Sequence, residues 1–312
     1  MIEEMYLKVG CLVISLIIGL FMPLLLDGIG RKIKARIQYR MGPPVLQTFY
    51  DLFKLLKTPS LIPGGIGFII APIIAFSAAL ISISMLPIGM VSPISFSYDI
   101  FVYLYVLAMV SVALMLAGFS VQNAYANIGA NREMMMILSI EPILGIVLGT
   151  IALITGNLSI EKIVLSAGFL DVKHLILYIF SLIMLTYTVY VECGFIPFDL
   201  AEAETEILEG PLVEYSGRLL GLFKWALLIK RFSLIWLFTS LLTAPLMIHY
   251  GVSLFTILLS LIAQLVVATI IYSCMVTYEA MTPRYKIDWV IRSNLKIFLL
   301  SIAYLIIVLV IA

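Results

Sequence analysis

Eight stretches of the chain, at about 5–26, 66–90, 98–122, 133–155, 174–196, 219–242, 252–276 and 290–312, are apolar over lengths near the roughly 20 residues that an α-helix needs to cross a bilayer. Backbone that runs through hydrocarbon must satisfy its own N–H and C=O groups, so such stretches are expected to be helices. Composition agrees: 63% of residues are hydrophobic, 12% are charged and the mean hydropathy is +1.16. A soluble domain carries about twice that share of charge. The chain therefore reads as all-α, a single transmembrane domain over 1–312 built as a bundle of about eight membrane-spanning helices. Lys224, Lys230 and Arg231 interrupt the sixth stretch, so 232–250 is an alternative span with an interfacial helix before it. The N-terminus is acidic at Glu3 and Glu4 and lacks the basic region of a cleaved signal peptide, so the first helix is expected to be retained.

Lys and Arg concentrate on the cytoplasmic side of membrane proteins. Thirteen (Arg31, Lys32, Lys34, Arg36, Arg40, Lys54, Lys57, Arg132, Arg218, Arg284, Lys286, Arg292 and Lys296) lie in or beside the odd-numbered loops, against three (Lys8, Lys162 and Lys173) elsewhere outside the spans. This bias predicts a multi-pass protein of the cell membrane with both termini outside. Two cytoplasmic loops are long, about 27–65 and 194–218. In the first, Gly42-Pro43-Pro44 precedes Val45–Lys57, where apolar residues alternate at helical spacing with Gln47, Asp51, Lys54 and Lys57. That is an amphipathic helix suited to the membrane face or to a partner protein.

Several chemistries are disfavoured. Cys11, Cys193 and Cys274 lie far apart and no C-x-x-C pair exists, so no metal or iron–sulfur site is expected in this chain. Neither G-x-x-x-x-G-K-[ST] nor a strand-borne G-x-G-x-x-G occurs, which argues against nucleotide chemistry. A net charge of +1 gives no reason to expect nucleic acid.

The second long loop carries most of the acid. Asp199–Glu209 reads as a short helix stopped by Gly210-Pro211, which would put Asp199, Glu202, Glu206 and Glu209 on one face. Like charges so placed repel; either some hold protons at raised pKa values or a cation compensates them. The bland alternative is a capping box from Asp199 and Glu202 on a solvated face. Within the spans, Glu141 and Glu192 stand out because a charge in lipid is costly without a role. Glu133 opens the fourth stretch two turns before Glu141, where it would also serve as a helix-start dipole partner. Together these residues suggest a ladder of carboxylates descending from the loop into the membrane. Lys224 and Arg231, seven apart and so on one helix face, are candidate counter-charges. His174 and His249, at the outer span edges, need no special role.

The segment Ile196–Gly217, IPFDLAEAETEILEGPLVEYSG, resembles the signature of the respiratory complex I subunit 1 family, whose members include membrane subunits of energy-converting [NiFe] hydrogenases and related ferredoxin-linked complexes. Arg40–Lys57, RMGPPVLQTFYDLFKLLK, resembles that family's other motif. The resemblance implies a non-catalytic subunit that anchors a peripheral electron-transfer arm and couples it to proton or sodium translocation. On this reading Asp199, Glu202, Glu204, Glu206 and Glu214 carry the coupling role with Glu141, Glu192 and Glu133. Arg36, Arg40, Gln47, Asp51, Lys54 and Glu209 would face the peripheral arm. It also implies hydrogenase-like and iron–sulfur partner subunits bearing the [NiFe] and iron–sulfur centres, and antiporter-like membrane subunits. Quinone-reducing members usually continue G-P-N-R-V-G-P after the first arginines and carry an acid early in the sixth span. This chain has Gly-Pro-Pro-Val-Leu-Gln and Lys224, which favours the hydrogenase-type branch. The alternatives are a quinone-pocket subunit, the equivalent subunit of a sulfur-reducing complex, and a stand-alone secondary transporter. No internal repeat supports the last.

Overall fold

The computed structural model describes residues 2–247 and 254–311, and the secondary structure in them is essentially helical. His249 and the far end of the alternative span 232–250 lie outside the described residues. The helices are α1 (Ile2–Ile37), α2 (Gln47–Lys57), α3 (Ile66–Ser84), α4 (Asp99–Phe119), α5 (Ala124–Thr155), α6 (Ile160–Ser166), α7 (Val172–Glu192), α8 (Glu204–Ile207), α9 (Gly217–Met247), α10 (Leu254–Met281) and α11 (Ile287–Ile311). Eight of them, all but α2, α6 and α8, are long and apolar enough to cross a membrane. That is the all-α membrane bundle expected.

α9 is the hub. It packs on α1, α2, α3, α7 and α10, and 78% of its most apolar window is buried, against 22% for α11 at the periphery. Its centrality explains why the charges in the sixth stretch do not break the helix. They face protein partners instead of lipid, and α9 runs unbroken through Lys224, Lys230 and Arg231 with no separate interfacial helix before 232. Polar tips tie the hub to its neighbours: Trp225 Nε1 donates to the Leu20 carbonyl at 3.1 Å and Trp236 Nε1 to that of Pro87 at 2.9 Å, while the Tyr178 hydroxyl donates to the Leu241 carbonyl at 2.7 Å. Buried indole and phenol groups find such acceptors because an unmet donor in apolar surroundings is costly.

Two helices begin or end well outside the apolar stretches. α1 continues to Ile37, so Arg31, Lys34 and Arg36 ride on its last turns rather than in a loop. α5 starts at Ala124, nine residues before Glu133, with Asn123 as its cap: the Asn123 side chain accepts from the Tyr125 N–H. Glu133 is therefore deep in the helix, and the helix-start dipole role does not apply to it.

The amphipathic helix α2 lies on α1 and α9 at the basic end of the bundle. It buries Thr48 and Leu52, leaving Tyr50 and Phe53 exposed. Arg31 bridges Asp27 at 2.8 Å and Asp51 at 2.9 Å, Gln47 Nε2 donates to Asp51 at 2.8 Å, and the Thr48 hydroxyl donates to Asp27 at 2.8 Å. Asp51 and Thr48 thus fasten α2 to α1, and Gln47 braces Asp51 from within α2.

Candidate functional site

The acidic loop is not the helix its spacing predicted. Only Glu204–Ile207 is helical, one turn long, and Leu208 at φ 59° ends it. Leu200, Ala201, Ala203 and Ile207 nevertheless all pack inward from this irregular backbone. Gly210-Pro211 then seats against α5, where a Cβ on Gly129 would meet Pro211 Cδ at 2.5 Å.

The carboxylates are consequently dealt out to separate partners instead of sharing a face. Asp199 pairs with Arg284 at 2.9 Å, Glu206 with Arg132 at 2.6 Å, and Glu209 with Lys224 at 3.3 Å in an exposed contact. Glu214 accepts from Asn123 Nδ2 at 2.5 Å, which ties the end of the loop to the start of α5. The Glu204 side chain lies outside the described set. Arg36, Arg40 and Lys54 are exposed at the basic end, and Arg40 is hydrogen-bonded to Gln38.

Glu202 differs from the others. It faces two cavities at once, as do Leu227 and Arg231 of α9. The outer one, about 300 Å³, lies beneath α2 among Asp27, Arg31, Asp51 and Lys224. The inner one, about 70 Å³, is lined by Glu133, Glu192, Asp199 and Lys230 among apolar side chains. That is room for more than one water molecule in polar surroundings. Burial pushes the Glu202 carboxyl up to about 7, with Asp199 and Glu133 adding to the rise and Arg231 and Lys224 opposing it.

At the inner end, Lys230 Nζ stands 2.7 Å from Glu192 Oε1 and donates to the Ser111 hydroxyl at 2.6 Å. The Ser111 hydroxyl in turn donates to the Glu133 carboxylate, so one ammonium and one hydroxyl join two carboxylates from α5 and α7. Apart from this ammonium, Glu192 Oε1 has no partner among the described residues. Glu141, further along α5, feels the charges of Glu192, Lys230 and Glu133, and its Oε1 is buried with no hydrogen-bond partner among the described residues. Arg231 is held beside this cluster, its Nε donating to the Cys193 carbonyl at 2.7 Å and its guanidinium 5.5 Å from the centre of the Phe195 ring. Buried carboxylate oxygens that lack partners point to water or ions as their complement.

The structure thus gathers Glu133, Glu192, Asp199, Glu202 and Arg231 around the inner cavity, with Glu141 beyond it. Glu206, Glu209 and Glu214 are engaged elsewhere. Sequence reasoning missed Lys230 and Ser111. A lysine thirteen residues into a 31-residue helix is too far from the basic end to snorkel easily, and that was the available signal for Lys230. Ser111 carried none. Among the described residues no cluster of His, Cys, Asp and Glu could hold a metal.

The profile of the family described as "NADH dehydrogenase" matches residues 9–311. Hydrogenase-4 component C of Escherichia coli (strain K12) is 35% identical over 241 residues, 76% of this chain and 75% of that protein. Formate hydrogenlyase subunit 4 of the same strain is 33% identical over 217 residues, 69% of this chain and 71% of its own length. Among solved structures, a chain of the membrane-bound sulfane sulfur reductase, an archaeal respiratory membrane complex, aligns with a TM-score of 0.84 at 26% identity, covering 98% of this chain and 99% of that one.

Proposed function

The chain belongs to the NADH dehydrogenase family, and from that premise we propose that it is the membrane-anchor and coupling subunit of an energy-converting, hydrogenase-type complex. On this reading the redox centres belong to other subunits. Electrons pass through hydrogenase-like and iron–sulfur subunits docked on its basic, cytoplasmic end, which carry the [NiFe] and iron–sulfur centres, and both termini lie outside. Antiporter-like membrane subunits receive the energy as proton or sodium movement.

The observation that carries this reading is the wall between the two cavities. Glu202 stands where the outer cavity, next to α2 and the docking end, meets the inner one that holds Glu133, Glu192 and Lys230. A charge change in a docked redox subunit alters the field at Glu202, whose carboxyl gains or loses its proton near neutral pH. The proton then has buried acceptors along Glu192, Glu133 and Glu141, with water in the inner cavity as the carrier. Quinone reduction is the less favoured reading on the same geometry. Six charged side chains line the outer cavity, whereas small-molecule pockets are mostly apolar with a few polar groups.

Glu202→Gln tests the relay. Glutamine is nearly isosteric and keeps hydrogen bonding but cannot titrate. In the wild type the sign is set by the raised carboxyl value. The neutral acid stabilises the folded chain fully below the ordinary value of 4.5, and that stability is lost as pH rises through about 7. The variant is expected to assemble, to lose this pH dependence, and to transfer electrons with ion translocation reduced about tenfold or more. Ion uptake by vesicles holding the complex, measured between about pH 5 and 8, decides the matter; wild-type translocation with an unchanged pH profile would sink the relay.

A further inference from the structure

α10 and α11 scarcely touch one another, and between them, over α7, runs a groove of about 580 Å³. Its walls are mostly aromatic: Tyr187 and Tyr190 from α7, Phe198, Tyr278 from α10, then Tyr285 and Trp289 at the start of α11. The rings brace one another, Tyr190 against Tyr278 edge-on at 5.3 Å and Tyr285 against Trp289 at 4.1 Å. Hydroxyls turn away into the protein, Tyr187 donating to Asn294 Oδ1 at 2.7 Å and Tyr190 to the Ile196 carbonyl, so ring surface is what the groove presents. Tyr278 and Trp289 remain about half exposed, at 51% and 52%.

Three cations near the α11 residues that line the groove, though not lining it themselves, say what covers it. Lys286 follows Tyr285 directly, and Arg292 and Lys296 lie one and two turns beyond Trp289 on the exposed side of α11. All three are exposed, and none of their side chains has an ion pair or hydrogen bond among the described residues. Asp288, also exposed, is the lone acid of this stretch. Cations on a lipid-facing helix surface are costly unless they reach an anionic group, and basic residues beside membrane grooves bind acidic head groups. The lining discriminates as well, because membrane helix interfaces favour small residues that allow close approach, whereas six aromatic rings line this groove.

We infer that the α10–α11 groove is a binding site for an acidic membrane phospholipid, one chain lying along the rings of Tyr190, Tyr278 and Trp289 and the phosphate held by Lys286, Arg292 and Lys296. The groove shares one wall residue, Phe198, with the inner carboxylate cavity, and the proposal does not depend on the coupling role.

Cys274 reports on it. It lines the groove and is exposed, while Cys11 and Cys193 are buried and serve as internal controls. Maleimide labelling of Cys274 is to be followed by peptide mass in the complex purified in detergent, before and after exhaustive lipid removal. Removal is expected to raise the labelling rate at least fivefold. Phosphatidylglycerol added back is expected to restore protection while phosphatidylcholine at the same mole fraction is not, and an Arg292→Gln/Lys296→Gln variant is expected to lose the phosphatidylglycerol effect. Protection that survives lipid removal would put a protein helix in the groove and overturn the proposal. Equal protection by the two lipids would overturn it too, since the head group would then play no part.

Discussion

Lys230→Met is expected to collapse the amount of assembled subunit, and Glu192→Gln in the same chain is expected to bring it back without restoring ion translocation. Methionine fills the volume of the lysine stem but removes an ammonium 2.7 Å from Glu192 and 2.6 Å from Ser111, in a pair whose side chains are 8% and 3% exposed. Breaking a buried pair from one side costs about 3–5 kcal/mol because the surviving charge has no partner. Here the loss is compounded, since Glu133 reaches the same ammonium through Ser111. Removing the second charge reverses most of that cost, because neutral replacements of buried pairs are often tolerated. The double variant then isolates function from folding: the helices pack, but the cation that bridges the α5 and α7 carboxylates is gone. Subunit retained in the complex on native gels gives the first readout, and vesicle ion uptake the second. Wild-type assembly of the single variant would show that Lys230 does not hold the cluster together.

Gly28→Ala in α1 is expected to destabilise, against the usual sense of such a change. Alanine replacing glycine inside a helix ordinarily gains roughly 1 kcal/mol. At Gly28, however, a Cβ would lie 1.8 Å from the Val45 carbonyl oxygen, which is backbone and cannot rotate aside. The entry to α2 must therefore move, and with it the Thr48–Asp27 and Arg31–Asp51 contacts and one wall of the outer cavity. Gly145→Ala and Gly149→Ala in α5 are the controls, for nothing lies within 4 Å of a Cβ at either position. Backbone amide exchange across 42–57 should rise at least tenfold in Gly28→Ala and stay at the wild-type level in the controls. Unchanged exchange in all three would mean that α2 tolerates the displacement.

The spans were legible because lipid imposes one requirement, length in apolar residues, which can be read without knowing any neighbour. Their ends were less so. α1 and α5 run past the apolar stretches through polar residues that have protein partners, Asp27 and Arg31 in one case and Asn123 in the other. The interruption of the sixth stretch by charge was visible but misleading, because what decides whether Lys230 breaks a span is the presence of Glu192 on another helix. The acidic loop shows the same limit more sharply. Spacing alone put Asp199, Glu202, Glu206 and Glu209 on one face. Only one helical turn forms there, and Asp199 pairs with Arg284 and Glu206 with Arg132 instead. The carboxylates themselves were identifiable from residue type and depth. Which of them meet at one cavity depended on partners far away in the chain.

The partners of α9 also set a timetable for biogenesis. A lone Lys or Arg at the centre of a helix costs about 2.5–3.5 kcal/mol on entering the bilayer, so α9, with Lys230 and Arg231 adjacent near its middle, is a poor substrate for the translocon by itself. The groups that offset those charges, Ser111, Glu133, Glu192 and the Cys193 carbonyl, all precede it in the chain. They leave the ribosome first. Helices α4, α5 and α7 therefore carry, before α9 is synthesised, the groups that its two adjacent charges need.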